Sequence, residues 1–118
     1  MAGIVFYRSE NRRQVVDFYT QYLGFESWLV QDAGCEILKR DNLLLGFCDG
    51  EETESAGIVT VVVEDQGAVD SLYDELEEYA RHPPENNEAF EIYQFFADDP
   101  DGRAVEIQTF LHKTPDLP

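Results

Sequence analysis

The sequence predicts an α+β fold in which a strand, a helix and further strands occur twice in the same order. Three observations support this. The chain has 118 residues, the size of one domain with its own core. Apolar residues make up 43% and aromatics 13%, enough surface for burial to offset the entropy of folding. Runs of β-branched and aromatic residues also alternate with two stretches of helical periodicity.

Residues 3–9, GIVFYRS, read as a strand. Asn11 is placed to cap the helix that follows, with Gln14 three residues on at capping-box spacing. Val15, Phe18, Tyr19, Tyr22 and Leu23 recur at helical intervals, and Gly24 supplies a left-handed stop. Strands follow at FESWLVQD (25–32), CEILKR (35–40) and LLLGFC (43–48). Asp41-Asn42 between the last two suits a two-residue turn with positive φ, and its register sets Cys35 directly opposite Cys48 as a close, non-hydrogen-bonded pair.

After the acidic stretch 49–54, IVTVVVED (58–65) reads as a strand and Asp65 as the cap of a second helix. The apolar stripe of that helix is Val69, Leu72, Tyr73, Leu76 and Tyr79. RHPPENNE (81–88) is expected as a loop or short irregular edge, because Pro83-Pro84 bars a helix. FEIYQFFA (90–97) and RAVEIQTF (103–110) are strands joined by the turn Asp99-Pro100-Asp101-Gly102. One domain is expected over 1–118, with a degenerate repeat of modules near 1–50 and 56–111 and a tail at 112–118.

The 25 acidic residues against 8 basic ones give a net charge of −17. Such a surface repels phosphate backbones and anionic lipid, which argues against nucleic-acid and membrane partners. No apolar run reaches the ~20 residues of a membrane span, and MAGIVFYRSE lacks the parts of a secretory leader, so a cytoplasmic location is expected. Lysine occurs only at Lys39 and Lys113, and residues 66–80 carry five carboxylates and no base. Asp70 with Asp74, and Asp74 with Glu78, are like-charge pairs four apart that salt would relieve, which points to a halophilic origin. An ordinary solvated acidic face is the alternative. Two cysteines are too few for a disulfide scaffold; they read as small apolar fillers or as a reactive or bridging pair. No P-loop, CxxC, Rossmann or Ser-His-Asp pattern occurs, and His82 and His112 read as surface residues.

Three motifs in order carry a family resemblance. VVDFYTQYLGFE (15–26) resembles the FY-x-x-x-LGF opening of the glyoxalase, bleomycin-resistance and extradiol-dioxygenase (vicinal oxygen chelate) superfamily. TVVVEDQGAVDSLYDEL (60–76) resembles the entry of its second module, and DDPDGRAVEIQTF (98–110) its closing hairpin. The resemblance implies two paired βαβββ modules forming a curved mixed sheet around a cavity, with helices outside, and a homodimer. It also implies four metal-ligand positions, which fall on Ile4, Gly46, Ile58 and Glu106. Of these only Glu106 has a donor side chain, whereas metal sites of this kind need three or more.

Strand alternation then gives a cavity lining of Phe6, Arg8, Cys35, Ile37, Gly46, Cys48, Thr60, Glu106 and Gln108, together with Ile4, Leu44 and Ile58. Trp28 adds a stacking surface, and Gly46 leaves a void. Alternatively these residues fill a collapsed core in which Arg8 pairs with Glu106. The function expected is metal-independent binding of a small organic molecule, without cofactor, similar to the branch that sequesters cationic aromatic drugs. The alternatives are a metal-dependent lyase, isomerase or dioxygenase, with Cys35, Cys48 and Glu106 as ligands, or a metal-free enzyme with Glu106 as general base.

Overall fold

A computed structural model describes all residues 1–118, in two compact units. The first comprises residues 1–55 and 100–102, the second residues 56–99 and 103–118. Each holds a βαβββ module that closes its own four-stranded mixed sheet, the α+β architecture read from the sequence. No helix is long and apolar enough to cross a membrane.

The first unit runs β1 (Ile4–Ser9), α1 (Arg12–Tyr22), β2 (Glu26–Gln31), β3 (Cys35–Arg40) and β4 (Leu43–Asp49). Its sheet order is β1-β4-β3-β2, with β1 parallel to β4 and the other pairs antiparallel. Helix α1 buries Val15, Val16, Phe18 and Tyr19, and Leu38, Leu45 and Phe47 are buried on the sheet. The Tyr19 ring lies 5.2 Å from that of Phe47 and 5.6 Å from that of Phe25. Each such side chain contributes about 1.5–3 kcal/mol by leaving water.

The start of α1 differs from expectation. Asn11 makes no side-chain cap bond; its own N–H donates instead to Ser9 Oγ at 2.9 Å. The backbone of Asn11 (φ −125°, ψ 45°) departs from the extended cap geometry, so its amide does not return to the helix. The other end is as read: Gly24 has φ 71°, and Leu23 and Phe25 both donate to the Tyr19 carbonyl. The β3–β4 turn places Asp41 at φ 48° and sets Cys35 opposite Cys48. The β2–β3 ladder shifts register between Ser27 and Leu29, which leaves Trp28 at a bulge and 55% exposed.

The second unit runs β5 (Ile58–Val62), α2 (Gln66–Leu76), β6 (Glu85–Asn87), β7 (Ile92–Asp98) and β8 (Ala104–Phe110), in sheet order β5-β8-β7-β6. Asp65 Oδ1 accepts the Ala68 N–H at 2.8 Å, the cap read from the sequence. Val69 and Leu76 of α2 are fully buried, as are Phe95, Ala97, Val105 and Ile107 of β7 and β8, the strands that α2 packs on. The helix stops at Leu76, one turn before Tyr79, because Ala80 bridges to Ala97 and draws the chain onto the edge of β7. Of the two like-charge pairs, only Asp70 and Asp74 therefore lie within the helix, and Asp70 accepts the Tyr93 hydroxyl at 2.6 Å. The Pro-bearing segment supplies β6, a three-residue edge on β7. The β7–β8 connection is held by an ion pair that sequence reading missed. Arg103 Nη1 lies 2.7 Å from Asp99 Oδ2, and both side chains are fully buried. Asp99 Oδ1 also accepts the Arg103 N–H at 3.0 Å.

Candidate functional site

In the second unit β5 pairs with β8 in the register Ile58–Ala104, Thr60–Glu106 and Val62–Gln108. Alternation therefore puts Ile58, Thr60, Glu106 and Gln108 on one face of the sheet, opposite the residues on Val105 and Ile107 parity that α2 covers. Glu106 is 8% exposed. Its Oε1 accepts the Thr60 hydroxyl at 2.9 Å, and its Oε2 accepts Gln94 Nε2. Gln94 Oε1 in turn accepts Asn87 Nδ2 at 2.9 Å. Donor direction is fixed along this chain from Asn87 through Gln94 to the carboxylate, and no cation bonds Glu106. The result is a buried carboxylate held by neutral donors alone, with Gln108 beside it opposite Gln94.

Sequence reading did not find Gln94 and Asn87. The signal was present: Gln94 is the polar residue inside the aromatic run IYQFF (92–96), and the register of the last hairpin sets it opposite Gln108. His82 was read as a surface residue but is only partly exposed. Its Nδ1 donates to the Pro83 carbonyl at 2.8 Å, so Nε2 is free to accept the Phe96 N–H at 3.3 Å, and its ring meets that of Phe96 edge-on at 6.0 Å. This imidazole fastens the incoming segment to β7. His112, past the last strand, is exposed, with its ring 5.6 Å from that of Phe110.

In the first unit the registers Ile4–Leu44, Phe6–Gly46 and Arg8–Cys48, continued by Gly46–Ile37 and Cys48–Cys35, place these eight residues on one face. Ile37 is buried, whereas Phe6 is half-exposed. One detail corrects the expectation, and two decide between the alternatives. Gly46 leaves no void, because the Phe6 ring lies over it: a Cβ there would sit 2.3 Å from two ring carbons. Arg8 pairs with Glu54, not with Glu106. Its N–H donates to Glu54 Oε1 at 2.7 Å and Nη2 to Oε2 at 3.3 Å, while the Glu54 N–H returns to the Arg8 carbonyl at 2.9 Å. The hydrogen bond and the charge of Glu54 raise the guanidinium pKa. Lastly, Cys35 and Cys48 are not free thiols filling space but are joined by a disulfide.

No three His, Cys, Asp or Glu side chains gather where they could hold a metal ion. At the four implied ligand positions, Ile4, Gly46 and Ile58 offer no donor atom, and both oxygens of Glu106 are engaged by Thr60 and Gln94. That donor set does not fit a divalent ion. Bonded to each other, the cysteine sulfurs are not thiolate ligands either.

The two βαβββ modules are similar in fold to solved structures that include a glyoxalase/bleomycin resistance protein/dioxygenase from Nocardioides, at TM-score 0.77 and 17% identity over 100% of this chain and 89% of that one. An integron cassette protein from the mobile metagenome of a Halifax Harbour sewage outfall superposes at TM-score 0.79, with 23% identity over 93% of this chain and 98% of its own. A glyoxalase/bleomycin resistance protein/dioxygenase family enzyme from Burkholderia phytofirmans gives 0.80 at 18% identity, over 92% of this chain and 97% of its own. A lactoylglutathione lyase from Agrobacterium tumefaciens gives 0.74 at 17% identity, over 92% of each chain. At these identities the likeness is one of fold. No family model and no curated protein matches the sequence.

Proposed function

We propose that this chain is a metal-independent small-molecule-binding protein, similar to the bleomycin-resistance branch of the vicinal oxygen chelate superfamily, that works in the cytoplasm as a homodimer. The observation that carries the reading is Glu106, a buried carboxylate with two neutral donors and no counter-ion. A charge withdrawn from water in this way is best complemented by a cation, so the ligand is a cationic organic molecule with an apolar or aromatic body. Ile58, on the same sheet face as Glu106 and 56% exposed, supports contact with an apolar ligand body.

The same observation supports a second reading, a metal-free enzyme with Glu106 as general base, because Thr60 and Gln94 orient the carboxylate as an acceptor. Screening cationic aromatic compounds by thermal shift, with Glu106→Gln as control, tests both. Loss of the charge is expected to weaken binding about ten- to a hundred-fold, the worth of a charged hydrogen bond. Unchanged binding by Glu106→Gln would remove the binding reading, and lost turnover with retained binding would favour the base.

A further inference from the structure

We infer that the Cys35–Cys48 disulfide is a reversible thiol–disulfide site, opened and closed by a low-molecular-weight thiol such as glutathione, and not a structural staple. The two residues face each other across β3 and β4 with Cα atoms 4.0 Å apart, at the end of the hairpin remote from its turn. A staple stabilises by closing a loop that the unfolded chain would leave open. Here the loop is short, a separation of 13 residues, and six ladder pairs with the Asp41-Asn42 turn close it without the bond. The core of this unit, from Tyr19 and Phe47 to Leu38 and Leu45, lies on other positions. The fold therefore does not depend on the sulfurs being joined.

Access favours exchange. Both cysteines are partly exposed, at the far end of the hairpin from its turn. In the reductive direction a glutathione thiolate attacks one sulfur and breaks the S–S bond. The other sulfur leaves as thiolate and takes a proton; a second glutathione thiolate then attacks the sulfur of the bound glutathione, and the protein sulfur it was joined to leaves as thiolate and takes a proton. Two thiols and one oxidised glutathione result; the reverse steps restore the bond.

The test is to equilibrate the protein in glutathione buffers from fully oxidised to millimolar reduced, quench with an alkylating agent, and count free thiols by intact mass. The expected result is conversion of both cysteines together, from under a tenth to over nine-tenths dithiol across the series, recovered on reoxidation. The dithiol form and the double variant Cys35→Ser/Cys48→Ser should both melt cooperatively, and the single variant Cys35→Ser should retain one glutathione on Cys48. A bond that survives the most reducing buffer would overturn the proposal, as would unfolding of the dithiol form or of the double variant. Neither readout depends on what the protein binds.

Discussion

Replacing Arg103 by Met tests whether the β7–β8 connection is held by its buried ion pair. The side chain is fully buried, its Nη1 is 2.7 Å from Asp99 Oδ2, and Asp99 is itself fully buried. Removing the guanidinium leaves a carboxylate without its counter-charge, a change that costs about 3–5 kcal/mol when the pair is buried. Arg81 and Asp98 form the control within the same unit. Their contact is short, but their side chains are 44% and 48% exposed, and pairs of that kind contribute about 0–1 kcal/mol. For a domain of this size about 1 kcal/mol moves the melting point by roughly 3–6 °C. Arg103→Met should therefore lower it by about 10–30 °C, against no more than about 6 °C for Arg81→Met. Thermal unfolding followed by circular dichroism reads both. Equal shifts in the two variants, or a shift of only a few degrees for Arg103→Met, would show that burial does not decide the worth of these pairs.

Gly46→Ala should displace the Phe6 ring, which a Cβ would approach to 2.3 Å, at a cost of about 1–3 kcal/mol. Phe6→Ala should remove most of that cost in the double variant, as read by denaturant melts; additive losses would show that the ring is not what Gly46 accommodates. Tyr93 donates to Asp70, and this bond, then desolvation, raises its pKa above the ordinary 10.0. Its contribution to stability is thus present below pH 10 and lost as pH rises through the higher folded value. Ultraviolet titration of the protein minus that of Tyr93→Phe should show a phenol step above the usual range, and a step at or below it would contradict the bond. The charge of −17 and the Asp70–Asp74 pair predict a melting point that rises from millimolar to molar KCl, and a salt-independent one would remove the halophilic reading.

Local chemistry made much of this structure legible in the sequence. Gly24 and Asp65 act at helix ends through their own backbone or side chain, and the Asp41-Asn42 turn fixes the hairpin register by itself, so each could be read from a few neighbouring residues. Alternation then carried the register across both sheets and put Thr60 beside Glu106. What escaped depends on contacts between distant residues. Ser9 takes the amide that Asn11 was expected to leave to the helix, and the bulge at Trp28 interrupts the alternation on which face assignments rest. Glu54 reaches Arg8 across 46 positions of sequence, and Gln94 reaches Glu106 from the neighbouring strand. Opposed cysteines were visible, but register alone does not say whether two facing thiols are bonded. Gly46 was misread because absence of a side chain was equated with empty space, whereas the facing Phe6 ring fills it.

The proposed function requires Glu106 to work without a metal. Elemental analysis measures it directly, on untagged protein purified without chelators and dialysed in turn against Zn²⁺, Mn²⁺ and Fe²⁺. Far less than one metal ion per subunit is expected after each dialysis, because Ile4, Gly46 and Ile58 offer no donor side chain and the Glu106 carboxylate by itself is too few ligands for a divalent ion. A stoichiometric ion that Glu106→Gln releases would contradict it and place this chain among the metal-dependent enzymes of its fold.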